Sequence, residues 1–314
     1  MTRAFNNVTG GLALALLGAA CGGAVNSGVA VGKVGDSVAS HTDAAPQGAE
    51  VCAVKEAMEA NPRGGAEKPA WSEECTKARK RDQLWRRAMI VLAAHGDTLE
   101  SLAVGEEDNP GHLEGALTSV KGKDWLDVED EDKPARDAVA QLVDQMSKHD
   151  SDTDLEQAVK DAAPHVNKIC DGLKRYLEEQ TTTLGELQKE IEKKRAMPNE
   201  KRCGSTNGQT LCVNDTSTDR VIYANAAAQL AVLENTHADA RDDVAGFCAA
   251  HKKLEDAAKN GSLDDDATYT AVVQAVKSAR KGPPPIEAST PAEDKPVGEK
   301  APEPKASGSS EPKK

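Results

Sequence analysis

Residues 164–197 and 220–259 carry apolar side chains at three- and four-residue steps, and the two stripes are numerical mirror images of each other. Upstream the stripe runs Leu173, Leu177, Leu184, Leu187, Ile191; downstream it runs Tyr223, Leu230, Leu233, Ala240, Val244, Phe247, Leu254. Such spacing is the heptad seam of helices that pack along their length. Pairing Ile191 with Ala226, Leu187 with Leu230, Leu184 with Leu233, Leu177 with Ala240, Leu173 with Val244, Cys170 with Phe247 and Val166 with His251 gives numbers that always sum to 417. A constant sum lets two antiparallel helices zip without a slip in register. Cys170 and Cys248 sum to 418, which sets them at one height on adjoining flanks and predicts a disulfide between them.

The reversal between the stripes is the segment CGSTNGQTLC, residues 203–212. Asn-Gly is the strongest two-residue hairpin signal, because both turn positions need positive φ. Opposed residues then sum to 415, as Cys203 and Cys212 do. Counting outward from the turn places that pair at a non-hydrogen-bonded site, where Cα atoms stand about 4.5 Å apart, within reach of a disulfide. Cys-x8-Cys with no histidine nearby is not zinc spacing. Cys52 and Cys75 pair by elimination, with Asn61-Pro-Arg-Gly-Gly65 and Pro69 returning the chain between them.

Composition narrows the class. Aromatic residues make up 3% of the chain, too few for a β-sandwich core, while Ala, Glu, Lys, Leu and Asp dominate its middle, as in helices packed through small side chains. The formal net charge of −13 argues against phosphate binding. The one basic run, Lys77-Ala-Arg-Lys-Arg81 followed by Arg86 and Arg87, reads as a solvated helix face, and no nucleic-acid partner is expected. The expected fold is all-α: an elongated antiparallel helical hairpin or bundle stapled by disulfides, with a small β-hairpin insert at 203–212.

At the N-terminus, Met1-Thr-Arg3 supplies positive charge, Leu12-Ala-Leu-Ala-Leu-Leu17 a short apolar core, and Gly18-Ala-Ala20 small residues before Cys21. The apolar core is too short to span a bilayer as a mature helix. This segment resembles a bacterial lipoprotein signal over its first 21 residues, with Gly18 where that family usually carries Leu. The resemblance implies removal of residues 1–20, lipid on Cys21 and contact with a membrane through that lipid. Ordinary signal-peptidase cleavage is the competing reading of Gly18 and Ala20, but it leaves Cys21 as a spare thiol. Six cysteines then remain, an even number that suits an exported chain.

The remainder divides as follows. Residues 21–48, rich in Gly, Ser, Ala and Val, read as a flexible tether. A helical domain spans 49–280. In it we expect a short helix near Glu50–Ala60 and a long one capped by Ser72 and ended by Gly105. The long helix carries an apolar stripe of Leu84, Ala88, Val91, His95, Leu99 and Leu102. A further helix is expected from about Pro134 to Lys148. Thr153-Asp-Leu-Glu156 is a capping box for the next, and Pro164 either kinks that helix or starts a new one. Ser262 caps a last helix whose first turn holds Asp264, Asp265 and Asp266. Residues 281–314 hold eight prolines among Glu, Lys, Ser and Ala, which is the composition of a disordered tail.

Chemistry-bearing patterns are sparse. Glu234-Asn-Thr-His237 is an E-x-x-H element of the kind found in di-iron bundles. No other histidine has a glutamate three residues before it, and such a site needs a second unit. The preferred reading is a polar layer, Gln180 against His237, that fixes register; Glu234, His237 and His251 remain weak metal candidates. Cys248-Ala-Ala-His251 lacks the first cysteine of a haem-attachment site. No G-x-S-x-G, P-loop, H-E-x-x-H or EF-hand pattern occurs. The expectation is therefore a non-enzymatic, lipid-anchored scaffold or interaction module of the bacterial cell envelope. It would face an oxidising periplasm or cell surface, have no resident cofactor, and meet an envelope protein or polymer as partner. The alternative is a periplasmic bundle that binds a metal or haem through seam histidines.

Overall fold

The computed structural model describes residues 23–42, 47–59, 72–105, 115–116, 118, 128–148, 154–196, 201–206, 209–214 and 216–280, of which 57–59, 194–196, 201–206, 209–214 and 216–222 are described by backbone alone. Residues 1–20, for which a signal segment is expected, Cys21 and residues 281–314, for which a tail is expected, lie outside the described residues. Seven helices and one hairpin are described: α1 Gly23–Ser40, α2 Gly48–Glu59, α3 Glu73–Val104, α4 Lys133–Met146, α5 Leu155–Ala196, β1 Lys201–Thr206, β2 Gln209–Asn214, α6 Thr216–Asn260 and α7 Asp266–Ala279.

The mirror-numbered helices pair as expected. Leu173, Leu177, Leu184, Leu187 and Ile191 of α5 are buried, as are Ala226, Leu230, Leu233, Ala240, Val244, Phe247 and Leu254 of α6. The strands pair antiparallel with Cys203 opposite Cys212, and the ladder extends two residues beyond each cysteine. Helix boundaries follow local chemistry. The Ser72 hydroxyl accepts the Cys75 N–H at 3.1 Å. Gly105, at φ 70°, closes α3 in the left-handed conformation. At the end of α6, Gly261 has φ 63°, and the Ser262 N–H reaches back to the Ala257 carbonyl, the six-to-one bond of a Schellman turn.

Two boundaries differ from the sequence reading, and one of the two alternatives offered for Pro164 falls away. Asp154 caps α5, its Oδ1 accepting the Gln157 N–H at 2.7 Å, so the cap stands one residue past Thr153, which lies outside the described residues. Pro164 neither starts nor ends a helix but sits inside α5. Ser262 does not cap α7: its carbonyl accepts the Thr268 hydroxyl, and the helix opens at Asp266 with Asp265 at the cap position.

The largest correction concerns residues 21–48. From Gly23 to Ser40 they form α1, which is buried in the domain rather than serving as a flexible tether. Its glycines are spaced for close approach to α3. A methyl added at Gly28 would lie 2.3 Å from the Ala103 Cβ, and one at Gly35 would sit 3.2 Å from the Ala93 carbonyl oxygen. Each glycine costs a helix about 0.5–1 kcal/mol relative to alanine. Here that cost is offset by backbone contact and by Val31, Val34 and Val38, all at or below 2% exposure. The far end of α1 is tied as well. His41 Nε2 stands 2.9 Å from Asp243 on α6, which also takes Arg280 beyond α7 at 2.7 Å. The helical domain thus includes α1.

Helix α3 runs through the middle of the bundle, packed by α1, α2, α4 and α5. Trp85 is fully buried and stacks on Tyr176 of α5 at 5.6 Å between ring centroids. Gly172 makes room for that indole: a Cβ there would lie 2.4 Å from Trp85 Cη2. A second, smaller core fills the outer arm, where Val51 and Val54 of α2 cover Leu184, Leu187, Ile191, Ala226, Leu230 and Leu233.

Two glycines of α5 should respond oppositely to alanine. Gly172→Ala forces the indole to move and should cost about 1–3 kcal/mol of stability. Gly185→Ala meets nothing within 4 Å and should add up to about 1 kcal/mol through helix propensity. Urea denaturation of the two variants checks the contrast; equal effects would mean that the Trp85–Gly172 contact is absent in solution.

Candidate functional site

Among the described residues a cleft of about 340 Å³ opens where α2, α3 and α5 meet the segment before α4, with Lys77, Lys80, Arg81, Glu129, Glu131 and Gln180 at its walls. Its floor is a helix cap supplied from another helix. Asp82 of α3 is 6% exposed. Its Oδ1 accepts the Gly48 N–H at 3.0 Å and its Oδ2 the Ala49 N–H at 2.8 Å, so one carboxylate satisfies two orphan donors of α2. The Tyr176 hydroxyl donates to Oδ1 at 2.5 Å. Burial raises the Asp82 carboxyl above the usual range, and its hydrogen bonds only partly oppose that. Burial, followed by the Asp82 charge, lifts Tyr176 well above the ordinary phenol value, so the hydroxyl stays protonated and donates.

Arg81 forms the wall beside that cap. Its Nε meets Asp132 Oδ2 at 2.6 Å, its Nη1 meets Glu179 at 2.6 Å, and its Nη2 meets Glu131 at 3.3 Å. The guanidinium lies 5.3 Å over the Tyr176 ring. Burial alone would lower Arg81, but Asp132 and Glu179 outweigh it and hold the charge firmly on. Asp132 is fully buried, and it also takes Arg175 at 3.0 Å. That explains why the side chain of Asp132, at the N-cap position of α4, makes no capping bond to the helix amides. The basic run read as a solvated face therefore contains, in Arg81, the centre of a partly buried ion network. In the cleft Asp82, Arg81 and Tyr176 are committed to one another or to helix ends. The Gln180 Oε1 finds no partner among the described residues.

The expected polar layer forms differently. His237 is buried, but its Nε2 donates to the Leu177 carbonyl of α5 at 2.7 Å, not to Gln180. The Gln180 amide lies beside Gly48 instead, where it lines the cleft. Glu234 is raised by burial and by the nearby Glu192 charge. His251 lies 14 residues along α6 from His237, about 21 Å at 1.5 Å per residue, so Glu234, His237 and His251 do not share a site. His251 meets His95 of α3 instead: both are fully buried, with Nε2 atoms 3.1 Å apart and one ring donating to the other. Phe247 stacks on His251 at 6.3 Å. Burial pushes the His251 imidazole down to about 4, with Glu255 opposing and Lys252 assisting. Burial alone would raise Glu255, but Lys259, Lys252 and Asn167 bind it and hold it at about 2.

Cys52 is bonded to Cys75 and Cys170 to Cys248, closing loops of 23 and 78 residues. In the chain-entropy model, closing such loops contributes roughly 3.4 and 4.5 kcal/mol. Cys52, Glu56 and Cys75 form the one cluster of metal-ligating type among the described residues, and its sulfurs are consumed by the disulfide. The backbone register opposes Cys203 and Cys212, while their sulfur atoms lie outside the described residues. Two disulfides, each with one buried and one partly buried cysteine, fit an oxidising, non-cytosolic compartment. Among the described residues no helix is long and apolar enough to cross a membrane. No family model, no curated protein and no solved structure matches the chain.

Sequence reasoning missed Asp82, Tyr176, Asp132 and the His95–His251 contact. The signals were thin: an aspartate interrupting a basic run, a tyrosine off the seam, and a histidine on each of two distant stripes.

Asp82→Ala should cost about 2–4 kcal/mol, combining a lost cap with a stranded Tyr176 hydroxyl. Adding Tyr176→Phe should recover part of that loss; chemical denaturation of the single and double variants measures both. The His251 contribution is fully present above its ordinary value of 6.5 and is lost as the pH falls toward its folded value of about 4. Over that window, stability should drop by about 3 kcal/mol. Urea midpoints at pH 7 and pH 4 in the parent and in His251→Leu test this, the variant showing the smaller drop.

Proposed function

We propose that this chain is an exported protein of the bacterial cell envelope, anchored by lipid on Cys21 and acting as a non-enzymatic scaffold or interaction module. The observation that carries the reading is the commitment of three polar groups of the cleft. Asp82 holds the start of α2, Arg81 is saturated by carboxylates, and Tyr176 donates inward. Groups fixed in this way define shape and charge, whereas proton transfer requires a group free to change partners. The two disulfides and the paired α5–α6 arm support the same reading, since both favour a rigid body suited to presenting surface. The partner fitting this role is another envelope protein or an envelope polymer.

The test has two readouts. Mass spectrometry of the N-terminal peptide from natively purified protein should show an acylated Cys21, absent in Cys21→Ser. Photo-crosslinkers placed at Val232 and Gln188 on the arm should capture one recurring macromolecule in intact cells. Failure to capture any partner, together with turnover of a small substrate by the purified protein, would overturn the scaffold role.

A further inference from the structure

Helix α1 begins without slack. At Gly23 the backbone presses on the α6–α7 turn so closely that an added Cβ would sit 2.3 Å from the Asp264 carbonyl oxygen. Gly22 alone separates Gly23 from Cys21, and two peptide units reach at most about 7 Å. A lipid on Cys21 is therefore joined to the body of the domain and not to a long spacer.

The end of the bundle where this happens has a definite composition. Gly28 packs on Ala103, so α1 starts where α3 finishes. Of the three large hydrophobic side chains that stand exposed among the described residues, Val25 (39%) and Val104 (41%) belong to this end. The third, Val232, lies 28 residues before Asn260 on α6, about 42 Å up the helix at 1.5 Å per residue. Asp264, Asp265 and Asp266 are exposed at the same turn as Gly23, so charge does not draw this end to an anionic bilayer. Tethering and apolar contact must do so.

We propose that the end formed by the start of α1, the end of α3 and the α6–α7 turn is a bilayer-docking face. The acyl chains on Cys21 insert beside Val25 and Val104, and the α5–α6 arm points away from the membrane with its β-hairpin farthest out. This rests on the lipid anchoring proposed above and adds an orientation to it. A lipoprotein on a flexible tether would hold no fixed face to the membrane.

The experiment uses the full acylated chain in phosphatidylcholine vesicles that contain a headgroup-nitroxide lipid. An environment-sensitive fluorophore is attached through Val104→Cys in one sample and Val232→Cys in another. Position 104 should lose at least half its emission to the nitroxide, and position 232 should lose none. A twelve-residue Gly/Ser insertion between Gly22 and Gly23 should abolish the difference by restoring free tumbling. Equal quenching at both positions, or none at 104, in protein whose Cys21 acylation is confirmed by mass would overturn the docking face while leaving the anchor intact. A Cys21 found without acyl chains would overturn the anchor itself.

Discussion

Along the interface between α5 and α6, layers of leucine alternate with layers closed by alanine. By the sum rule Leu184 stands opposite Leu233 and Leu187 opposite Leu230, whereas Leu177 stands opposite Ala240 and Ile191 opposite Ala226, and all of them are buried. Full burial of a leucine is worth about 1.5–3 kcal/mol, and an alanine contributes far less. A two-helix seam of this kind lets the backbones come close but supplies little apolar area per turn. The rest of the architecture answers that deficit. The Cys170–Cys248 bridge fixes the register of the pair at one height. Helix α2, itself held by Cys52–Cys75, lays Val51 and Val54 over the outer half. Helices α1, α3, α4 and α7 close around the inner half, where the larger core lies.

Those parts whose information is periodic were legible in the sequence. The sum rule placed the α5–α6 seam, the strand register and the Cys170–Cys248 bridge correctly, because a heptad stripe, an Asn-Gly turn and a cysteine pair each state their geometry locally. Helix α1 was not legible, because glycine, serine and valine are the residues of a linker by propensity. What makes them helical is α3, whose small residues Ala93, Gly96 and Ala103 admit the α1 backbone. Tertiary contact overrides local preference there. The spacing of Gly28, Gly32 and Gly35 on one face was the available clue. The cleft was illegible for a different reason: Asp82 and Arg81 come from α3, Tyr176 from α5 and Asp132 from the turn before α4, far apart in number, and no stripe connects them.

These polar groups bear on specificity more than on stability. Burying Asp82, Asp132 and the His95–His251 pair costs desolvation that hydrophobic replacements would not incur. Each of them, however, can be satisfied in only one arrangement. Asp82 needs the first amides of α2 within reach, Asp132 needs Arg81 and Arg175 together, and the two imidazoles need α3 and α6 at one height. An Ala-rich bundle has many nearly equivalent packings, since small side chains interlock weakly. Polar contacts that tolerate no slip exclude the others.

The same reasoning locates the arm's softest point. Below Leu177, α5 is enclosed by α3, α4 and α6, with Tyr176 and Trp85 stacked and the Arg81 network fastened to Glu179. Immediately beyond, Thr181, Thr182 and Thr183 turn their hydroxyls back to the carbonyls of Leu177, Glu178 and Glu179. Such back-bonding competes with the helix's own ladder and favours bending. Two residues later comes Gly185, with open space where a side chain would be. Across the seam, the Leu177 carbonyl is shared between Thr181 and His237. The Cys170–Cys248 bridge and the ion network lie on the inner side of this segment, while α2, itself bonded to α3 through Cys52–Cys75, and the leucine pairs hold the outer side. Within α5, Thr181–Gly185 is therefore the segment with the weakest local support against bending.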